Sequence, residues 1–296
     1  MTRVLTGGWR LDPPSARDYT LDHDKVREIA EQLALRPEDA PQLPHAADLS
    51  GGFGPPGDQG DLNACSSFAA VALFEHGMSR LGQRVEPGSP MFLYKVQRDL
   101  LQERGDGGSY LRTAMEAMAL AGVCPERYWP YDPRRLDDEP PAFCYAVADN
   151  YEAMVYYRLD HAGQDPAALL RSLKTHLARG LPVMLGSALF PTLGSVSLHG
   201  MLAEPRPDDP VVLLHAFVAA GYDDEKVVHD ETGTIRQGRG AVRVRSSWGP
   251  TWGEGGYAWL PYTYVLRGWT RDYWVLVSSE YVDRERFTEP PEPAPV

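Results

Sequence analysis

The sequence predicts an α+β protein in two lobes with a cleft between them, and three observations lead there. Apolar residues recur at helical spacing through the first half of the 296-residue chain. Short runs rich in Val, Tyr, Trp and Leu, divided by Gly, Pro and Asp, fill the second half. An abrupt change at Ala64 sets off the preceding residues, rich in Pro, Gly and Asp, as an arm. The expected division is a mostly irregular N-terminal arm over 1–57, a helical lobe over 58–160, a β-rich lobe over 161–284 and a disordered Pro/Glu tail over 285–296.

The arm reads as a segment draped over the surface, with a helix near Lys25–Leu35. From Ala64, apolar positions at Phe68, Ala69, Ala72, Leu73, Met78 and Leu81 give a helix ending at Gly82, apolar almost all round in its first turns and so expected to be buried. Ser89-Pro90 supplies an N-cap and a proline at the first helical position for a helix running to about Glu103. A further helix fits Leu111–Ala121, closed by Gly122. Asp165-Pro166 repeats the start signal and opens Ala167–Arg179, with Gly180 as the stop. Strands are expected at Pro182–Leu189, Leu213–Gly221, Ala241–Ser246, Gly256–Pro261 and Tyr273–Val277. The charged, glycine-bearing stretch Asp223–Gly240 reads as an exposed hairpin loop.

A formal charge of -12 and a pI near 5.1 exclude the electrostatic footprint of a nucleic-acid binder. The absence of a long apolar run argues against a membrane span or a secretory signal, so a cytoplasmic protein is expected. Three cysteines are too few for a disulfide scaffold. Cys124 and Cys144 read either as a bridge or as two buried thiols, the second being the preferred reading for a protein with no visible export signal. His199, His215 and His229 lack ligand spacing, so no metal and no cofactor are expected.

Four features carry chemistry. Cys65 falls at the start of the central helix, where unpaired backbone N–H groups and the helix dipole favour thiolate. Gln59, in a Gly-Asp-Gln-Gly turn, carries an amide able to donate to an oxyanion. His215 interrupts the apolar strand Leu213–Gly221. In the run from Val244 to Tyr257, Trp248 and Trp252 stand in a glycine-rich turn and suit a cover over something apolar. Taken singly, each has a structural reading: a buried thiol, a solvated amide, a hydrogen-bonded core histidine, loop packing.

Together and in this order, Gln59…Cys65, His215-Ala216…Gly221-Tyr222 and Ser-Trp-Gly-x-x-Trp-Gly-x-x-Gly-Tyr closely resemble the papain family of cysteine peptidases. The 150 residues between Cys65 and His215 agree with that family's spacing. Gly122-Val123-Cys124-Pro125-Glu126, Trp129-Pro130-Tyr131, Ala16-Arg17-Asp18-Tyr19 and Asp272-Tyr273-Trp274 resemble a bacterial branch of it. The resemblance runs from about Asp58 to Leu276 and implies a papain-like fold, a helical lobe followed by an antiparallel β-barrel-like lobe with the active site in the cleft.

It also implies roles. Cys65 matches the nucleophile, His215 the general acid/base, and Gln59 with the Cys65 N–H the oxyanion hole. Trp248 matches the indole shielding the pair, and Gly107-Gly108 resembles the glycine edge that pairs with substrate backbone. Ser246 stands where the family has the Asn that orients the imidazole; a serine oxygen can accept from an imidazole N–H, directly or through a water. The family's pro-segment is not recognisable in the arm. The implied activity is peptide hydrolysis through a thioester, reduced by Ser246, on a peptide or protein substrate. Two alternatives stay open: a peptide ligase or acyltransferase using the same Cys–His pair, and a catalytically degenerate peptide-binding protein.

Overall fold

The computed structural model describes residues 5–37, 42–82, 86–230 and 232–281. The expected Pro/Glu tail lies outside them. After the short helix α1 (Asp24–Gln32) and strand β1 (Ala46–Asp48), helix α2 (Cys65–Arg80) runs through the molecule with its residues Cys65–Ser67 and Ala69–Phe74 buried. It has no polar N-cap side chain, because the preceding Ala64 has none to offer. Helix α3 (Pro90–Leu100) starts where Ser89 Oγ accepts from Phe92 N at 3.0 Å, and the same hydroxyl donates to Trp129 O. Helix α4 (Leu111–Ala121) ends at Gly122, whose φ of 70° a side chain would oppose. These helices close one core around Ala70, Leu73, Phe92, Leu93, Met115 and Met118.

Helix α5 (Ala142–Ala148) and strand β2 (Tyr151–Arg158) follow, both unforeseen in the sequence. Helix α6 (Pro166–Ala178) begins at Asp165, whose carboxylate accepts from Ala168 N at 3.1 Å. Then come β3 (Val183–Leu189), α7 (Val196–His199), β4 (Leu213–His229), β5 (Ile235–Arg245), β6 (Tyr257–Pro261), α8 (Tyr262–Leu266) and β7 (Thr270–Tyr281). Their antiparallel pairings give the order β2-β7-β3-β4-β5-β6, with β1 added to β4.

The sheet is open, which corrects the barrel-like expectation: β2 and β6 lie at opposite edges and do not pair. Closure is unnecessary because helices cover both faces. Leu169, Leu173 and Leu177 of α6 and Val265 of α8 share a second core with Val183, Phe217 and Val244, while Ala216, Val218 and Met184 join the core around α2. Accordingly β3 and the first half of β4 are buried along nearly their whole length rather than on alternate residues. The stretch read as an exposed loop, Asp223–Gly240, instead extends β4 and β5 as a paired ribbon, with Val227 opposite Arg239 and His229 opposite Ile235. Its charges are compatible with pairing because they meet across the ribbon, Arg239 Nη1 lying 2.6 Å from Glu225 Oε2.

The arm departs from expectation too. It is not merely draped over the surface: Trp9 is buried and packs in the core around α2, and Trp9 and Ser109 form a parallel bridge. Cys65, Cys124 and Cys144 are free and buried.

Candidate active site

The start of α2 abuts the beginning of β4, so that Ala216 N donates to Cys65 Sγ at 3.4 Å and His215 is the adjoining residue. The imidazole is held from two sides. Its Nε2 lies 3.1 Å from Ser246 Oγ, at the end of β5, and its face stacks on the Trp248 indole at 3.9 Å with 22° between planes. Its Nδ1 is buried and makes no hydrogen bond. Trp252 meets Trp248 edge-on and stacks on Phe217, which extends the apolar wall.

Gln59 reaches the site because residues 57–59 are zipped to 247–249: Gln59 N donates to Ser247 O at 2.8 Å and Gly249 N to Gly57 O at 2.9 Å. Ser247 Oγ then donates to Gln59 Oε1 at 2.6 Å, turning the amide so that its NH2 faces the cleft. Ser247 was not singled out in the sequence, although it lies between two residues that were.

The pair is shut away from water. Burial pushes the Cys65 thiol up to about 12, eased by the backbone N–H groups of Ala216, Ser66 and Trp9 on the sulfur. Burial likewise takes His215 down to about 3. The helix start was expected to favour thiolate; desolvation instead favours the neutral form of both partners here.

What excludes the water is the arm. Trp248 Nε1 donates to Thr6 O at 2.8 Å, and Gln59 Nε2 donates to Gly7 O at 2.9 Å and Leu62 O at 2.7 Å. Gly8 N donates to Leu214 O at 3.2 Å, Ser109 N to Gly8 O at 2.8 Å and Arg10 N to Ser109 O at 2.9 Å. The backbone edge that pairs with the arm is thus Ser109, next to the singled-out Gly107 and Gly108. Gly108 is fixed from behind by Arg98 Nη1, which donates to its carbonyl at 2.6 Å. A Cβ on Gly108 would come within 2.3 Å of Gly8 O. The Trp9 side chain ends at Asp272, donating Nε1 to Oδ2 at 3.1 Å, and lies where a Cβ on Gly186 would be.

Among the described residues no group of three or more His, Cys, Asp or Glu could hold a metal ion. His199 and His229 stack at 6.4 Å, apart from His215 in its Trp248–Ser246 setting. No helix among the described residues is long and apolar enough to cross a membrane.

Residues 44–265 match the family described as papain family cysteine protease. The chain is 27% identical over 225 residues, 74% of its own length and 68% of the relative's, to an uncharacterised peptidase C1-like protein of Acanthamoeba polyphaga mimivirus. Among solved structures it resembles xylellain, a cysteine protease from Xylella fastidiosa, with a TM-score of 0.73 and 27% identity over 92% of this chain and 96% of that one. It also resembles digestive procathepsin L 3 of the Tenebrio molitor larval midgut, with a TM-score of 0.56 and 19% identity over 76% of this chain and 66% of the other, a likeness of fold.

Proposed function

Because the chain belongs to the papain family of cysteine proteases, we propose that it hydrolyses peptide bonds of a peptide or protein substrate through a thioester on Cys65. The arrangement of His215 carries this reading: Ser246 and Trp248 hold its ring, Nδ1 is unengaged, and the next residue's N–H rests on the Cys65 sulfur.

In the proposed cycle His215 takes the thiol proton as the sulfur attacks the substrate carbonyl carbon. The oxygen of that carbonyl gathers negative charge and is met by Gln59 Nε2 and the Cys65 backbone N–H. His215 then gives its proton to the departing amine, leaving an acyl thioester. A water deprotonated by His215 attacks the thioester and restores the thiol. Ser246 Oγ fixes the ring's orientation by accepting from Nε2, and Trp248 keeps bulk water from the pair. Gly107 and Gly108, with Ser109, offer a backbone edge on which an extended peptide can lie. Similarity to a Xylella enzyme, with the motifs around Asp18, Cys124 and Asp272, supports placing the chain in a bacterial branch of the family.

The test is product analysis by mass spectrometry after incubation with a peptide library. Cleaved peptides are expected from the wild type, and none from Cys65→Ala. A new amide formed when a nucleophilic amine is supplied would instead assign the thioester to transfer.

A further inference from the structure

We propose that the apolar groove walled by Phe190, Leu193, Val212 and Trp252 receives the departing, amine-side half of the substrate and selects large apolar side chains there. The proposal rests on the peptidase reading and narrows it to a substrate class: peptides with Leu, Phe or a similar residue two or three positions after the cleaved bond.

The groove is open along Val212 and encloses about 540 Å³, within the range of roughly 300–1,000 Å³ usual for ligand sites. Three segments build it. The turn after β3 gives Phe190 and Leu193, and the glycine-rich turn after β5 gives Trp248 and Trp252. The stretch leading into β4 gives Val212, held in place as its N–H donates to Leu189 O at 2.8 Å. None of the described side chains lining the groove is charged, in a chain where charged residues make up 24%. Val212 is 52% exposed and Val211 beside it 53%, so the rim leaves apolar surface to water that a substrate side chain would cover.

Its place decides which half of the substrate it meets. The Trp248 indole lines the groove and also stacks on the His215 ring at 3.9 Å, and in the proposed cycle His215 hands its proton to the departing amine. Residues 5 to 10 pass the site in order and give its scale. Leu5 lines the groove, Thr6 O meets Trp248 Nε1, the Trp9 N–H meets the Cys65 sulfur and Arg10 N meets Ser109 O. The groove and the Ser109 edge thus lie on opposite sides of the sulfur. A substrate laid on that edge by its acyl half runs out past Trp248 by its amine half. Leu5 is two residues from Gly7, whose carbonyl Gln59 Nε2 holds, a reach of about 7 Å at full extension. The groove therefore meets the second or third side chain past the cleaved bond. A Leu or Phe there loses its contact with water at a gain, whereas a carboxylate would be desolvated with no cation among the described lining residues.

The test uses the full chain and one peptide that it cleaves, with the acyl half fixed and the second and third residues after the cleaved bond changed together to Leu, Ser or Asp. An aminocoumarin amide of the same acyl half has no residues to place in the groove and serves as the control. In the wild type kcat/KM should be at least about tenfold higher with Leu than with Asp. Val212→Asp should lower kcat/KM for the Leu peptide about tenfold and leave the amide unchanged, an unchanged amide rate showing that the variant is folded. Val212→Lys should shift the preference toward the Asp peptide. The wild-type comparison decides the matter where a variant fails to fold. Equal wild-type rates for the Leu and Asp peptides, or a preference that survives both substitutions, would overturn the groove assignment while leaving the peptidase reading standing. Equal rates together with a mass that rises with protein concentration would give the groove to a second copy of this chain instead. No cleavage of any peptide or of the amide by the wild type would count against the peptidase reading, and the groove assignment would fall with it.

Discussion

On the proposed reading, the Ser246 hydroxyl at the His215 ring does the orienting for which the family uses an amide. With Nε2 held at 3.1 Å and Nδ1 unengaged, the imidazole has one polar tether and one stacking surface. Removing the tether in Ser246→Ala leaves a buried ring N–H unpaired, which typically costs about 1–3 kcal/mol. We expect kcat to fall about tenfold or more, roughly 1.4 kcal/mol of barrier, with little change in KM. Ser246→Asn should raise kcat about tenfold. Steady-state kinetics on one cleaved peptide checks both, and an unchanged kcat in Ser246→Ala would remove the residue from the site. The convergence of Ser246, His215, Cys65 and Gln59 was legible because four separate motifs agreed with one pattern. The arm's packing was not: Thr6-Gly7-Gly8-Trp9 reads as part of an irregular arm draped over the surface, and its indole's partner, Asp272, is 263 residues away.

Among the elements, helix starts and stops were the most readable, because Ser89-Pro90, Asp165-Pro166 and Gly122 act through local backbone chemistry. Strand β2 was passed over even though its Val155, Tyr156 and Tyr157 have strand-forming side chains, and the extended β4–β5 ribbon was hidden by its charges. One contact that fixes β2 against α6 could not be foreseen: Tyr157 Oη lies 2.6 Å from His176 Nε2, while His176 Nδ1 lies 2.7 Å from Ser172 O. The carbonyl requires the proton on Nδ1, so the tyrosine donates to Nε2 and the ring is satisfied while neutral. Burial takes this histidine down to about 4. The unfolded chain therefore binds a proton that the folded one refuses between its ordinary value near 6.5 and about 4. Its contribution is complete above pH 6.5 and is lost as pH falls toward 4, on the order of 3 kcal/mol in all. Urea melts at pH 7.5 and 4.5 should show the stability gap between wild type and His176→Gln shrinking by about that amount. A gap independent of pH would mean that folding leaves the affinity of this ring for a proton unchanged.

Across the whole molecule, a chain of net charge -12 gathers carboxylates around one buried cation. Arg158, at the end of β2, is almost wholly enclosed. It pairs with Asp160 at 2.9 Å, faces Asp272 at 3.3 Å and Asp18 at 3.6 Å, and donates to Asp12 O at 2.9 Å. The guanidinium thus joins the arm, the turn after β2 and strand β7, the strand whose Asp272 receives the Trp9 indole. Asp272 is fully buried and its carboxyl is pushed up to about 6, desolvation winning over the pull of Arg158. Arg158→Met keeps much of the volume and takes the charge away, leaving Asp272 without its nearest cation. A buried pair broken from one side costs about 3–5 kcal/mol, and we expect a loss of that size at pH 7.5 by chemical denaturation. The sign of its pH dependence follows. Without Arg158 the Asp272 pKa moves still higher, and a carboxyl raised in the fold stabilises below its unfolded value and loses that contribution as pH rises through its folded one. The deficit of Arg158→Met should therefore be largest above pH 7, narrow as the medium is acidified toward about 6, and level off below that, where Asp272 is protonated in both folded proteins. Arg158→Met/Asp272→Asn should recover part of the loss at pH 7.5, with its remaining deficit less dependent on pH. A deficit in Arg158→Met that stayed constant from pH 7.5 to 5 would show that Arg158 acts through packing alone.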